Sequence, residues 1–421
     1  MTEKLLQFIW KFKYYNTISL TTVTGEPIIV LQQGTHNTNQ GPDFLNAKIK
    51  IGNTILVGNI ELHLRSTDWY AHQHQTDTNY HNIILHVVWQ HNTNTTVIHQ
   101  YPVLELQQYI SKLMLVQYEA LMDKHQFIPC ETQIKNYSTL GFNGWKDRLL
   151  LERLQQKTTA ILQTLQHNNG NWEETFWQKL ARNFGLKANA DAFENMAIHT
   201  PALVLAKNKL SQIKIESLLL GQANMLNGNY TDDYAILLQK EYVYLKQKYN
   251  LKPSVFPTLY LRMRPYAFPT IRLSQLATLI YGANKLFSKV LECQTYKALQ
   301  QLLVCKTNDY WHYHYKLDDE VTAYNEKYLG EDMQHNIIIN TIAPILFAYG
   351  IYKNEETYKQ KALLWLEQIP TENNTIVKGF RAIEIKTKTA ADSQALIQLK
   401  NNYCTHKRCL ECAVGVGLLK H

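Results

Sequence analysis

The spacing of apolar residues changes its period once along this chain, and that change limits the possible folds more than any other feature. Before about Leu113, apolar residues come in short runs that stop at glycine, proline or asparagine, as strands do. Beyond it, long runs follow a helical period, as in Asp147–Leu165, Trp172–Phe184, Ser211–Leu226, Asp232–Tyr249 and Gln334–Tyr349. The expected fold class is α+β, an N-terminal α/β core followed by an all-α domain. The expected domains are residues 1–125 and residues 126–421, the second ending in a cysteine cluster. At 421 residues, 45% of them hydrophobic, the chain is long enough for two or three cores.

Within the first part, Met1–Tyr15 spaces Leu5, Leu6, Ile9 and Trp10 as an amphipathic helix. Gly25–Glu26 is a turn, and Pro27–Gln33 a strand closed by Gly34. His36–Pro42 reads as a loop. Phe44–Ile51 and Thr54–Leu64 read as two strands joined at a Gly52–Asn53 hairpin turn. Asp68–Asn82 has turn or short-helix character. Ile83–Trp89 is a fourth strand, apolar enough to be buried on both faces, and Val97–Leu106 a fifth.

The chemistry gathers on that hairpin. Asp43 stands at the entry to one strand, and the next carries Glu61-Leu62-His63. Residues two apart on a strand share a face, so Glu61 and His63 project together. With the turn at Gly52–Asn53, Asp43 falls beside them to within a residue. Two carboxylates and an imidazole on one surface suit a divalent cation, Mg or Mn. Such an ion can offset charge developing on a phosphorus centre, while His63 binds the ion or positions a water. His72 and His74 are further candidate ligands. His86, in an apolar strand, reads more readily as a hydrogen-bonded core residue. Asp68 suits either a histidine's partner or a helix cap.

Helix, three strands, a helical segment and a further strand, with Pro42-Asp43 on one strand and Glu61-x-His63 on the next, resembles the PD-(D/E)xK nuclease superfamily over residues 1–110. That resemblance implies a restriction-endonuclease-like core with Asp43, Glu61 and His63 as catalytic residues. His63 stands where the superfamily has lysine and brings no fixed charge. A second resemblance spans nearly the whole chain. GPDF, GNIELH, STDW, HQH, NIILHVVW, ESLLLGQANML and LRMRPYAFPTIRL are similar to a bacterial domain-of-unknown-function family, number 2851. It implies no activity.

Cys404, Cys409 and Cys412 fall within nine residues, and thiolates are soft metal ligands. A zinc ion or an iron–sulfur cluster needs a fourth ligand. Cys130 is the candidate, with His406 an alternative for zinc. Cys293 and Cys305 lie in helical patterns and read as small core residues. Six cysteines in such a length do not make a secreted disulfide framework.

The net charge is +8. Residues 1–125 are near neutral, with 8 Lys and Arg against 9 Asp and Glu, so the positive excess lies beyond them. A basic second part suits nucleic acid as partner. Arg262, Arg264 and Arg272, interleaved with Tyr266 and Phe268, are the candidate phosphate and base contacts. Glu216 lies in an apolar helix and needs a buried partner, for which Arg264 and Arg272 are candidates. Neither a nucleotide-binding P-loop nor a GxSxG elbow nor a GxGxxG fingerprint is present. The first residues lack a signal-peptide pattern, and a cytoplasmic protein without membrane contact is expected. The expected function is metal-dependent nucleic-acid hydrolysis by a nuclease or nuclease-like phosphodiesterase. The alternatives are nucleic-acid binding without catalysis and a zinc-stabilised interaction protein.

Overall fold

Alternation and hairpin chemistry build the first part of the chain as the spacing requires. The computed structural model describes residues 1–92, 101–122, 126–260, 264–283 and 285–420. Helix α1 (Glu3–Phe12) starts at Thr2, whose hydroxyl accepts from the Leu5 N–H, and buries Leu5, Leu6, Phe8, Ile9 and Trp10. Strands β1 (Ile28–Gln32), β2 (Thr35–His36), β3 (Phe44–Ile51), β4 (Thr54–Arg65), β5 (Ile83–Gln90) and β6 (Val103–Glu105) form one sheet. Its order is β1-β3-β4-β5-β6, with β2 also paired to β3. The short strand β2 begins just ahead of the expected loop and takes in His36. Of the expected fifth strand, residues 97–100 lie outside the described residues.

Strands β1, β3 and β4 are antiparallel neighbours, and Ile51 pairs with Thr54 across the Gly52–Asn53 turn. Strand β5 runs parallel to β4 and to β6. Two neighbours and two covered faces explain its continuous apolar run, and Ile83 to Val88 are all buried. A parallel pair cannot be joined by a tight turn. Residues 66–82 make the crossover, with one short helix, α2 (Asp68–Ala71), and two 3₁₀ turns.

One irregularity positions the site. Phe44 pairs with Ile60 but Ala47 pairs with Gly58, so β3 holds one extra residue between them. Asn46 takes the left-handed conformation there (φ 57°), and its N–H donates to Asn59 Oδ1 at 3.2 Å. Extending the regular Ile51–Thr54 register would set Asp43 opposite Leu62, on the other face from Glu61. The bulge sets Asp43 opposite Glu61 instead.

The chain divides into two compact units. Residues Met1–Trp145 and Leu399–His421 form the first, and Lys146–Gln398 the second. The second unit is helical. Trp172–Phe184, Gln212–Gln222 and Asp233–Tyr249 are helices, and Gly221 of the second of these lies against the Tyr242 ring of the third, with no room for a Cβ. Glu331–Lys353 is long and apolar enough to cross a membrane, but 67% of its most apolar window is buried within the fold, as in a core helix. A π-helical turn at Ile338–Ile342 precedes Pro344, which has no N–H to donate to the helix ladder.

Candidate metal centre

The three residues singled out on the hairpin converge, and the crossover brings two more histidines to them. Asp43 and Glu61 face each other across β3 and β4. The Asp43 N–H donates to Glu61 Oε2 at 2.9 Å, and the Leu62 N–H donates to Asp43 Oδ2 at 3.1 Å. Helix α1 adds Gln7, whose Nε2 donates to Asp43 Oδ1 at 2.8 Å. Nothing in the spacing of α1 singles out Gln7, because it falls just outside the apolar stripe.

Glu61 turns its other oxygen toward imidazoles. Oε1 lies 3.7 Å from His63 Nε2 and 3.5 Å from His74 Nε2. His63 Nε2 lies 3.1 Å from His72 Nδ1, and His63 Nδ1 lies 2.9 Å from His86 Nε2. One ligand nitrogen from each of His63, His72 and His74 falls within 4.8 Å of the others. His74 is stacked on the Tyr80 ring, with centroids 3.9 Å apart, and Trp69 packs edge-on against His74. Trp69 also lies against His86. Trp69 and Tyr80, clustered with Ile83, therefore hold His74 in place, although no periodicity in Asp68–Asn82 announces it.

Burial sets the electrostatics. Glu61 is 5% exposed and His63 1%. Loss of water raises the pKa of both carboxyls above the usual range, and the charge of Asp43 raises Glu61 further. The Gln7 and Leu62 donors act against this rise at Asp43. Burial, with the neighbouring His86, His74 and His72, pushes His63 down to about 2, so it stays neutral. His74 is lowered too, by burial and by the neighbouring His72, with Asp77 acting in the opposite direction. A neutral imidazole is the form that binds metal.

The donor set fits a divalent cation. His74 Nε2 is buried and makes no hydrogen bond, while a carboxylate oxygen and two other imidazoles stand around it. His63, His72, His74 and Glu61 would hold the ion, and Asp43 adjoins them through Glu61. His86 bonds the far nitrogen of His63, as outer partners of metal-binding histidines do. Imidazole-rich sites favour borderline metals over Mg. Asp68 serves neither expected role. Its Oδ2 accepts from the Arg65 N–H at 2.9 Å and ties the end of β4 to the crossover.

Among the described residues, those singled out in the helical part do not converge in this way. Arg272 is buried in the helix Pro269–Gly282 and donates to Gln275 Oε1 at 2.9 Å, so it presents no charge to a surface phosphate. Arg264 is exposed and donates to the Tyr266 hydroxyl at 3.1 Å. Arg262 lies outside the described residues. Glu216 pairs with neither Arg264 nor Arg272. Its carboxylate accepts instead from the Trp311 indole and, at 2.8 Å, from Asn308 Nδ2.

The fold and this site define a mixed α+β protein of two units, with a buried histidine–carboxylate cluster in the first. The chain belongs to the family described as "Protein of unknown function (DUF2851)", whose model matches residues 3–375. Comparison with the curated proteins gives no match, and comparison with the solved structures gives none.

Proposed function

We propose that this protein is a metal-dependent phosphodiesterase acting on nucleic acid, built on a PD-(D/E)xK-like core. The observation that carries the reading is the buried, unbonded His74 Nε2 facing Glu61 Oε1 beside His63 and His72. The antiparallel pair with Pro42-Asp43 at the entry to β3 and Glu61-x-His63 in β4, the preceding helix and the parallel strand after a crossover also support it. A divalent cation bound there supplies positive charge against the negative charge that develops at phosphorus during hydrolysis.

The protein's own residues divide the remaining work. Glu61 and the three histidines bind. Gln7 and the Leu62 N–H orient Asp43, and His86 orients His63. His63 stays neutral, so it does not replace the fixed charge of a lysine. His72 is the exposed member of the trio, open to solvent.

Incubating the full chain with plasmid, single-stranded DNA and RNA in the presence of Mn²⁺ or Mg²⁺ tests this reading. Cleavage that disappears on chelation and in Asp43→Ala is expected. No cleavage of any of these substrates with either ion overturns it. Binding that falls steeply with salt yet ignores Asp43→Ala would instead identify a non-catalytic nucleic-acid-binding protein.

A further inference from the structure

The geometry points to a second metal centre, held by four thiolates and independent of the histidine site: Cys130, Cys404, Cys409 and Cys412 bind a thiophilic metal, as one zinc ion or one iron–sulfur cluster. All four belong to the first unit. Cys404, Cys409 and Cys412 come from the segment that rejoins this unit at the far end of the chain. Two lysines fasten that segment to residues that precede Cys130. Lys400 Nζ donates to the Phe127 carbonyl at 2.6 Å, and Lys407 Nζ to the Met122 carbonyl at 3.0 Å.

Tight turns hold the backbone around the sulfurs. Cys130 opens a turn, its carbonyl accepting from the Gln133 and Ile134 N–H groups at 3.0 and 2.8 Å. Cys409 and Cys412 bracket a single 3₁₀ turn, and the Cys412 N–H donates to the Cys409 carbonyl at 3.3 Å. The helix Ala413–Lys420 begins directly after Cys412, and although burial raises the Cys412 thiol, the Gly415 and Val414 N–H groups act to lower it. Such donors stabilise a thiolate and have no use for a buried hydrocarbon. Gly415 is required by the fit, since a Cβ there would lie 2.3 Å from the Cys409 carbonyl oxygen.

Burial pushes the Cys130 thiol up to about 12 and raises Cys404 as well, and in each, other thiols of the quartet add to the rise. All four sulfurs are unpaired, and three of the residues are buried. Four reduced thiols drawn from distant parts of a chain form a poor apolar core, and four is the number of ligands that a structural zinc or an iron–sulfur cluster takes. Binding releases each thiol proton to solvent and leaves four sulfur–metal bonds, with no redox step in the zinc case. In the cluster case, iron and sulfide are supplied with the cluster itself.

The full chain, produced with iron and zinc in the medium and purified without oxygen, provides the test. Expected is about one zinc, or iron with acid-labile sulfide and visible absorption, per chain, retained in His72→Ala/His74→Ala and lost in Cys409→Ser and Cys412→Ser. Cys293→Ser, outside the quartet, is expected to keep the metal. Should the quartet variants fail to fold, alkylation of the wild type gives the second readout. Cys130, Cys404, Cys409 and Cys412 are expected to be protected until a chelator is added. Protein that carries no metal beyond that lost in the histidine variant, or a quartet alkylated at the same rate with and without chelator, overturns the proposal.

Discussion

Glu216 shows how a single side chain in the second unit makes stability depend on pH. It is fully buried, and loss of water raises its pKa to about 7, although the Trp311, Tyr234, Ser274 and Asn308 side chains work in the opposite direction. A folded-state value above the unfolded one means that the native state holds the proton more tightly. Its contribution is therefore full at acid pH and is lost as pH rises from about 4.5 through about 7. Replacing Glu216 with Gln removes this proton equilibrium. Urea unfolding at pH 5 and pH 8 is expected to show a smaller difference for Glu216→Gln than for wild type, by on the order of 2–3 kcal/mol. An equal difference in both proteins would show that Glu216 is ionised in the fold. The sequence reveals that this carboxyl is buried, because Leu218, Leu219 and Leu220 follow it. It does not reveal the partners, because Asn308 and Trp311 are remote in sequence and carry no motif. His74 is similar. Its proximity to Glu61 depends on stacking against Tyr80, which no spacing rule encodes.

At the scale of elements, the bulge in β3 decides whether the two acids meet. The strands and their turn are legible, since alternation and Gly52–Asn53 fix both. The extra residue also leaves a trace. Phe44 and Ala47, three apart, both point inward, and Asn46 between them is a residue type that tolerates the left-handed conformation. Deleting Asn46 should restore a regular ladder and move Asp43 to the face opposite Glu61. The sheet is expected to survive, with an unchanged circular dichroism spectrum, while divalent-cation binding by calorimetry is lost. Retained binding would show that Asp43 is not needed at the site. Asn46→Gly, which keeps the conformation, is expected to bind as wild type does.

At the scale of the whole molecule, the two periods of the sequence correspond to a sheet-bearing part and a helical part. The return of Leu399–His421 to the first unit is not written in any local pattern, because the contact between Lys400 and Phe127 spans 273 positions. Only the cysteine spacing hints at it, through the missing fourth ligand. Ending the chain after Gln398 is expected to leave the second unit folded and to loosen the first. Limited proteolysis with mass spectrometry should then show new cuts in residues 112–145 and none in the helices Trp172–Phe184 and Asp233–Tyr249. Equal protection of both regions would show that the first unit is complete without its last segment.

That discontinuity also sets an order of events on the ribosome. The sheet and its histidines emerge first, yet the segment that finishes their unit emerges only after the whole of Lys146–Gln398 has been made. At typical rates of synthesis the nascent chain waits roughly tens of seconds in that incomplete state. During the wait, Cys130 has none of its three distant counterparts, and the helical unit is free to fold before the one that precedes it.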